Sequence, residues 1–324
     1  MQKATARAHP NIAFIKYWGN INHDLRIPVN SSLSMNLDGL YTETEVEWDS
    51  SLSDDTLRLN DKDEQGTALS RVSAHLDVLR ERLNIDSKAT IVSANNFPMG
   101  AGIASSAAAF AALTLAGVAA AGQTLSEREL STLARRGSGS ASRSIPAGFV
   151  EWYQGDSHES SFAESIAAPD YWQLVDVIAV ISQVHKETGS TQGHRTADTS
   201  DLQNARVRGA AQRLEICKKA LLDRNFTVFA DVIEEDSNLM HAVMMTSRPA
   251  LFYWQPATLA LMQAVREWRA EGLNVCYTLD AGPNVHCICT ADNADAVAER
   301  LAQIDGVEQV LKASAGGAAY LTNV

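Results

Sequence analysis

The sequence predicts a mixed α/β protein, and three observations carry that reading. Short runs with strand character (4–8, 42–48, 90–94, 175–181, 275–279 and 285–290) alternate with stretches of helical period near 67–83, 103–121, 126–136, 202–223, 226–242, 256–271 and 293–304. The chain has 324 residues, 45% of them apolar, which is enough to bury a substantial core and argues against disorder. The third observation is an uneven distribution, since 200–271 reads almost wholly helical while the first half is richer in strands and loops. We therefore expect an N-terminal unit over 1–184 and a C-terminal unit over 185–324, with the boundary near 183–190. The pair Gly316-Gly317 marks a turn before a last strand at 318–321.

The net charge of −12, with no basic cluster longer than a pair such as Arg135-Arg136, argues against nucleic-acid or anionic-membrane surfaces. Any anionic ligand must be held locally. The first seven residues lack the apolar run of a signal peptide, and the four cysteines (Cys217, Cys276, Cys287, Cys289) fit neither zinc nor disulfide spacing, which points to the cytoplasm. Cys287 and Cys289 share a strand face and read as small buried apolar groups. The stretch 99–122 has no charged residue and is long enough to cross a bilayer. Its alanine, glycine and serine provide little transfer energy and no aromatic or basic anchors flank it, so it reads as a tightly packed interior helix.

That helix is preceded by Asn95-Asn96-Phe97-Pro98-Met99-Gly100-Ala101-Gly102-Ile103-Ala104-Ser105-Ser106. Glycines permit close backbone approach, and a helix start offers unpaired amides and the positive end of its dipole to a polyphosphate. Ser105 and Ser106 add hydroxyls. An isolated Gly-x-Gly equally suits a turn that only caps a buried helix, and the Gly-Lys-Ser/Thr ending of a Walker loop is missing.

Lys16 lies in the mainly apolar run Asn11-Ile12-Ala13-Phe14-Ile15-Lys16-Tyr17-Trp18-Gly19-Asn20. A lysine there needs an acid or an anionic ligand, unless it snorkels from a half-exposed strand. Pro28 to Ser34 reads as a polar turn feeding a strand, or as a source of hydroxyls for a ligand. The run Arg135-Arg136-Gly137-Ser138-Gly139-Ser140-Ala141-Ser142-Arg143-Ser144 places amides and hydroxyls beside guanidinium groups, a cradle in which Arg143 could grip a carboxylate or phosphate. Lys186 to Arg195 repeats the hydroxyl-rich theme, and its His194 reads as a polar contact rather than a metal ligand because no second ligand stands at helical or strand spacing. Asp280 ends an apolar strand ahead of the turn Ala281-Gly282-Pro283-Asn284, where it either caps the turn or serves as a reactive acid; Asn284 can close the turn with its side chain.

Taken together, these motifs resemble those of the diphosphomevalonate decarboxylases, members of the galactokinase, homoserine kinase, mevalonate kinase and phosphomevalonate kinase (GHMP kinase) superfamily. The resemblance runs through Asn11 to Gly19, Pro28 to Leu37, Asn95 to Ser106, Gly137 to Trp152 and Asp280 to Asn284, and so covers nearly the whole chain. It implies a two-lobed α/β fold with the active site between the lobes, an ATP-binding N-terminal unit, magnesium on the ATP phosphates, and a homodimer. It implies Asp280 as the catalytic base or orienting group, Lys16 as a group that neutralises charge near the reacting centre or orients Asp280, and Arg143, helped by Asn11, as holder of the substrate carboxylate. Tyr17, Asn20, Ser138, Gly139, Ser140 and His194 would line the substrate side. Ser93, Asn95, Pro98, Gly100, Ala101, Gly102, Ile103, Ala104, Ser105, Ser106 and Lys186 would bind the nucleotide, with Ser105 also toward the metal.

Two departures bear on the substrate. Family members that act on the diphosphate have lysine directly after Tyr-Trp-Gly, and here that place is Asn20. Pro146 and Ala147 replace a usual tyrosine and glycine, which removes an amide donor near Arg143. A monophosphate carries less charge to offset, so the missing cation fits a 5-phosphomevalonate decarboxylase that yields isopentenyl phosphate, although Arg7, Arg26, His194 or Arg195 could make up the charge; the family's weight puts the diphosphate first. A kinase without decarboxylation and a non-catalytic nucleotide-binding protein are the other readings, and the presence of both Asp280 and Arg143 disfavours them.

Overall fold

The computed structural model describes residues 3–97, 103–182 and 189–322. Its elements run β1 (Lys3–Ala8), β2 (Asn11–Ile15), β3 (Asn20–Asn22), β4 (Ile27–Pro28), β5 (Ser32–Asn36), β6 (Thr42–Asp49), β7 (Thr56–Leu59) and β8 (Lys62–Glu64). Then follow α1 (Gly66–Leu83), β9 (Lys88–Asn95), α2 (Ser105–Ala120), α3 (Glu127–Gly137), a 3₁₀ turn (Gly139–Ser144), β10 (Phe149–Trp152) and β11 (Ala163–Ala167). The remainder is β12 (Leu174–Val180), α4 (Ser190–Thr196), α5 (Gln203–Leu222), α6 (Phe226–Thr246), α7 (Pro256–Ala270), β13 (Val275–Thr278), β14 (Val285–Thr290), α8 (Ala294–Leu301), β15 (Gln309–Ser314) and β16 (Tyr320–Leu321). The mixed α/β expectation holds. The strands that periodicity did not reveal, such as β2, β5 and β10, are buried on both faces and so show no alternation.

The sheet β16-β1-β6-β9-β7-β8 is antiparallel except for the β7–β9 pair. Its inner face carries Ala4, Ala6, Ala8, Val46, Trp48, Ala89 and Ile91, onto which α1, α2 and α3 pack. The small side chains of α2 let it lie close to β1 and β6, and Trp48 Nε1 donates to the Gly117 carbonyl at 2.9 Å. A Cβ on Gly117 would come within 2.8 Å of Leu79 on α1. The alanine-rich stretch is thus the packed interior helix expected from its composition. Among the described residues no helix is long and apolar enough to cross a membrane. The outer face of the sheet is polar, with Arg7 paired to Glu43 and Lys3 to Glu45.

A second sheet, β11-β10-β5-β2, and a third, β13-β14-β12-β15, share the largest core. Phe14, Phe149, Trp172 and Phe229 sit at its centre, with Phe229 edge-on to Phe14 at 4.9 Å and to Trp172 at 5.2 Å. Strand β12 lies between β14 and β15, so a strand from the middle of the chain completes the C-terminal sheet. The opposite face of that sheet, with Val177, Ala179, Val285, Cys287 and Cys289, is covered by α7 and α8. All four cysteines are buried free thiols, and burial pushes the Cys289 thiol up to about 12, in keeping with small apolar groups.

The aromatic centre ties β2 to α6 and β12, and it predicts a large mutational effect. Phe229→Ala should destabilise the protein by about 3–5 kcal/mol in a urea titration. A loss below about 1 kcal/mol would show that this cluster does not hold the two sheets together.

Candidate active site

Strand β2 delivers Lys16 and the end of β13 delivers Asp280. Register slips between Ala13 and Ile15 in the β2–β5 pair, a local bulge that ends the ladder just before the lysine. Lys16 Nζ donates to Asp280 Oδ1 at 2.7 Å; the Lys16 side chain is 1% exposed and that of Asp280 24%. The lysine does not snorkel, and one carboxylate oxygen of the aspartate is taken by it. Burial alone would raise the Asp280 carboxyl pKa, but the positive charges of Lys16, His286 and Arg143 override it and hold the group below the ordinary carboxylate range. Lys16 is lowered from its usual value, since burial outweighs the charges of Asp280 and Asp236. A buried ammonium and a half-open carboxylate in direct contact make an acid that stays ionised and keeps a lobe for a ligand.

Arg143 comes from the 3₁₀ turn and is 3% exposed. Its Nε donates to Asn11 Oδ1 at 3.0 Å and its Nη1 to Ser32 Oγ at 2.7 Å. Burial brings its pKa down to about 10, and the Asp280 charge works against that drop, which puts the guanidinium within electrostatic reach of the acid. Asn11 donates in turn to Ser144 Oγ at 2.8 Å and to the Ser140 carbonyl at 3.1 Å. Its amide therefore holds Arg143 and the turn rather than facing open space. The hydroxyl of Ser32, which the sequence left open between turn and ligand contact, also serves Arg143.

Tyr17, Ser138, Gly139, Ser140, Asn20 and His194 are brought together beside this group. The Tyr17 ring stacks on His194 at 4.1 Å and meets Trp152 edge-on at 4.7 Å, and its hydroxyl donates to Asn20 Oδ1 at 2.6 Å. A Cβ on Gly139 would lie 2.6 Å from that ring, so only glycine lets the serine turn approach so closely. Ser138 Oγ lies 3.2 Å from Ser106 Oγ, which joins the serine turn to the first turn of α2. His194 Nδ1 accepts the Gly19 amide at 3.0 Å, and burial together with nearby cations lowers its pKa to about 3. His194 is thus a neutral support for the Tyr17–Gly19 backbone.

On the nucleotide side, Ala104 stands at the N-cap of α2 in the left-handed region (φ 39°), with Ile103 buried beneath it and Ser105 and Ser106 partly open. Among the described residues no side chain caps these amides, which leaves them suited to a phosphate. The sequence-based assignments Pro98, Gly100, Ala101, Gly102 and Lys186 lie outside the described residues. Ser93 and Asn95 stand on β9, where their side chains meet Thr44 and Thr42 across the strand pair. The described residues contain no cluster of three metal-ligating side chains. A hydroxyl at the start of α2, Ser105, has the chemistry to join a magnesium ion that arrives on a polyphosphate.

Sequence reasoning missed the supports behind the site. Asp236 on α6 accepts the Lys16 amide at 2.6 Å and pairs with Arg213 of α5 at 2.7 Å. Arg206 donates to the carbonyls of Lys16 at 2.8 Å and Trp18 at 3.2 Å, Gln203 to that of Trp18 at 2.8 Å, and Asn30 to that of Lys16 at 3.0 Å. The only available signal was charged residues on the apolar stripes of two helices. The Asn284 side chain accepts the Ile181 amide at 2.7 Å and that of Ser182 at 3.1 Å, so it closes the end of β12 as well as following the Asp280 turn. Arg135 of the expected anion cradle instead serves the protein: its Nε donates to the Leu25 carbonyl at 3.0 Å, and another nitrogen bonds the Ser161 carbonyl.

Removing Asp236 would leave Arg213 and the Lys16 amide unpaired in the interior. Asp236→Leu should lower stability by about 3–5 kcal/mol in chemical denaturation. A change under about 1 kcal/mol would mean that α5 and α6 do not clamp Lys16 through this carboxylate.

Comparison with known proteins agrees with this geometry. Residues 8–163 match the model of the diphosphomevalonate decarboxylase-like N-terminal domain, and residues 176–319 that of the mevalonate 5-diphosphate decarboxylase C-terminal domain. The diphosphomevalonate decarboxylase of Candida albicans is 39% identical over 92% of this chain and 87% of its own. The phosphomevalonate decarboxylase of Haloferax volcanii is 33% identical over 94% of each chain. Mevalonate diphosphate decarboxylase from Staphylococcus aureus superposes with a TM-score of 0.94 at 37% identity, over 99% of this chain and 98% of that one. A second structure, in complex with MVAPP, AMPPCP and magnesium, gives a TM-score of 0.94 at 38% identity over the same shares. With both halves matched and the acid, lysine and arginine brought within reach of one another, the chain belongs to the diphosphomevalonate decarboxylase family.

Proposed function

We propose that the protein catalyses the ATP-dependent decarboxylation of 5-diphosphomevalonate to isopentenyl diphosphate, ADP, phosphate and carbon dioxide, a step of the mevalonate route to isoprenoids. The single observation that supports this most is the buried Lys16–Asp280 pair with Arg143 in electrostatic reach. Asp280 orients the tertiary hydroxyl of the substrate and accepts its proton as the oxygen takes the terminal phosphoryl group. Lys16 keeps Asp280 ionised and offsets charge at the reacting oxygen. Arg143, fixed by Asn11 and Ser32, holds the carboxylate so that its departing bond lines up with the departing phosphate. Loss of that phosphate leaves electron deficiency at the tertiary carbon, and the carboxylate relieves it by leaving as carbon dioxide. Ser105 would help hold magnesium on the ATP phosphates, where the ion would supply charge neutralisation for phosphoryl transfer.

The monophosphate alternative raised by Asn20 is not favoured. The relatives named diphosphomevalonate decarboxylase reach 39% identity, and the solved neighbours carry that substrate's name or bind MVAPP. The kinase and non-catalytic readings lose their ground with the family. A homodimer, a cytoplasmic location, and a division into two units at 1–184 and 185–324 belong to the same proposal; separate helical layers over the first and third sheets support two units, although β12 (Leu174–Val180) stands in the sheet of the second.

Carbon dioxide release from 5-diphosphomevalonate should require ATP and magnesium, and ATP consumption without carbon dioxide would replace this proposal with a kinase. Asp280→Asn should retain ATP binding and lower kcat by about 10³-fold or more, as expected for loss of a general base in a positioned site. Near-normal turnover in that variant would remove Asp280 from the reaction. The Asp280 carboxyl is depressed in the folded protein, so kcat/KM should show no fall assignable to it until the pH drops below the usual carboxylate range. In Lys16→Met the main opposing charge is gone and burial dominates, so the acid limb of kcat/KM should move upward by at least about one pH unit on the same substrate. An unmoved limb would show that Lys16 does not set the charge of Asp280.

A further inference from the structure

Arg26 lies within electrostatic reach of Tyr17 and of three further arginines, Arg71, Arg136 and Arg195, and none of the four has a part in the chemistry above. Arg26 stands at the tip of the β3–β4 hairpin with a left-handed φ of 51°, an unusual conformation for a non-glycine residue. The hairpin register sets Asn20 opposite Pro28 and Asn22 opposite Ile27, so the chain that leaves at residue 20 returns beside it at residue 28, with Arg26 at the end of the turn between. Arg26 is half-buried, and its Nε donates to the Arg136 carbonyl at 2.9 Å, one residue before the Gly137-Ser138 segment. Its charge reaches Tyr17 and the guanidinium groups of Arg71, Arg136 and Arg195.

Among the described residues, no ion pair joins Arg26, Arg71, Arg136 or Arg195 to a carboxylate, in a protein whose net charge is −12. Like charges gathered without counter-charge repel one another, and the partial burial of Arg26 and Arg136 adds to the penalty; an anionic ligand offsets both. Asn20 cannot supply this charge. It is neutral, its carbonyl oxygen accepts from Tyr17 and its amide nitrogen lies 3.4 Å from His23 Nδ1. The neighbouring hydroxyls of Ser138 and Ser140 are acceptable partners for phosphate oxygens, and an arginine fork matches a phosphate in two bonds.

We propose that Arg26 binds the phosphate end of the substrate and determines specificity there, supplying from the hairpin tip the cation that residue 20 does not carry. Arg71, Arg136 and Arg195 form the positive rim through which that end enters. This assignment rests on the proposed reaction for its substrate, but the anion site itself can be tested without turnover.

The experiment compares wild type, Arg26→Gln, Arg26→Lys and the double variant Arg26→Gln/Asn20→Lys. With 5-diphosphomevalonate, Arg26→Gln should raise KM about tenfold or more while kcat changes less than threefold, the loss expected for one charge-assisted contact made equally in ground and transition states. Arg26→Lys should recover part of that loss, and Asn20→Lys in the Arg26→Gln background should lower KM again. Calorimetric titration of inorganic pyrophosphate into ADP-saturated protein should show affinity weakened about tenfold in Arg26→Gln. Unchanged KM and unchanged pyrophosphate affinity would overturn the proposal, as would a kcat loss at constant KM. A wild type that binds pyrophosphate through Arg26 but releases no carbon dioxide would sink the assigned reaction and leave the anion site standing. Running 5-phosphomevalonate in parallel reads how far the contact reaches, because a smaller KM effect there places Arg26 on the terminal phosphate and an equal one places it on the phosphate common to both.

Discussion

The site depends on one buried ion pair. An ammonium at 1% exposure has lost nearly all its hydration, and only a carboxylate in contact makes its charged form tolerable in that position. The same contact helps explain why an aspartate partly enclosed by protein remains ionised: burial raises its pKa, and the charges of Lys16, His286 and Arg143, with the lysine's hydrogen bond, together lower it further than burial lifts it. Each partner is the condition for the other. Because they are separated by most of the chain, the pair forms only when β2 and β13 are both in place.

That placement is enforced from behind. The backbone around Lys16 is gripped by Asp236, Arg206, Gln203 and Asn30, so its carbonyls and amide are satisfied away from the cleft and the side chain has one direction left. Arg213 completes the charge on Asp236. A network of this kind is worth more to precision than to stability, since replacing a buried ion pair with apolar groups is often nearly neutral while removing one member is not. Arg143 is treated the same way by Asn11 and Ser32. Rigid first partners with their own supports are what a reaction needs when two bonds on adjacent atoms must break in line.

Much of the fold was legible before any coordinates. The helices over 66–83, 203–222 and 256–270 lie within a residue or two of the periods seen in the sequence, because each buries one stripe against a sheet. The alanine-rich helix was legible from composition, since only small residues let a helix lie against β1 and β6 at that distance. Strands β2, β5 and β10 were not legible as strands, being enclosed on both faces. Nor could periodicity show that β12 joins a sheet made otherwise of C-terminal strands. Of the site, Asp280, Lys16 and Arg143 were identifiable by residue type and motif. Asn11 and His194 were identifiable as participants but not as supports, because the direction in which an amide or imidazole points is a tertiary fact.

By itself the sequence determined the chemistry available: a lysine that needs a counter-charge, an acid at a strand end, an arginine in a serine and glycine turn, and a helix start suited to phosphate. Those follow from side-chain ionisation and local backbone preference, which act over a few residues. Only the tertiary structure decided which charges meet, which are neutralised by burial, and which are left unpaired. Lys16 found Asp280 and Arg213 found Asp236, while Arg26 and its neighbours were gathered with no carboxylate in contact among the described residues. The physical reason is that Coulomb energy and desolvation depend on distance and enclosure in space, and neither quantity is set by separation along the chain.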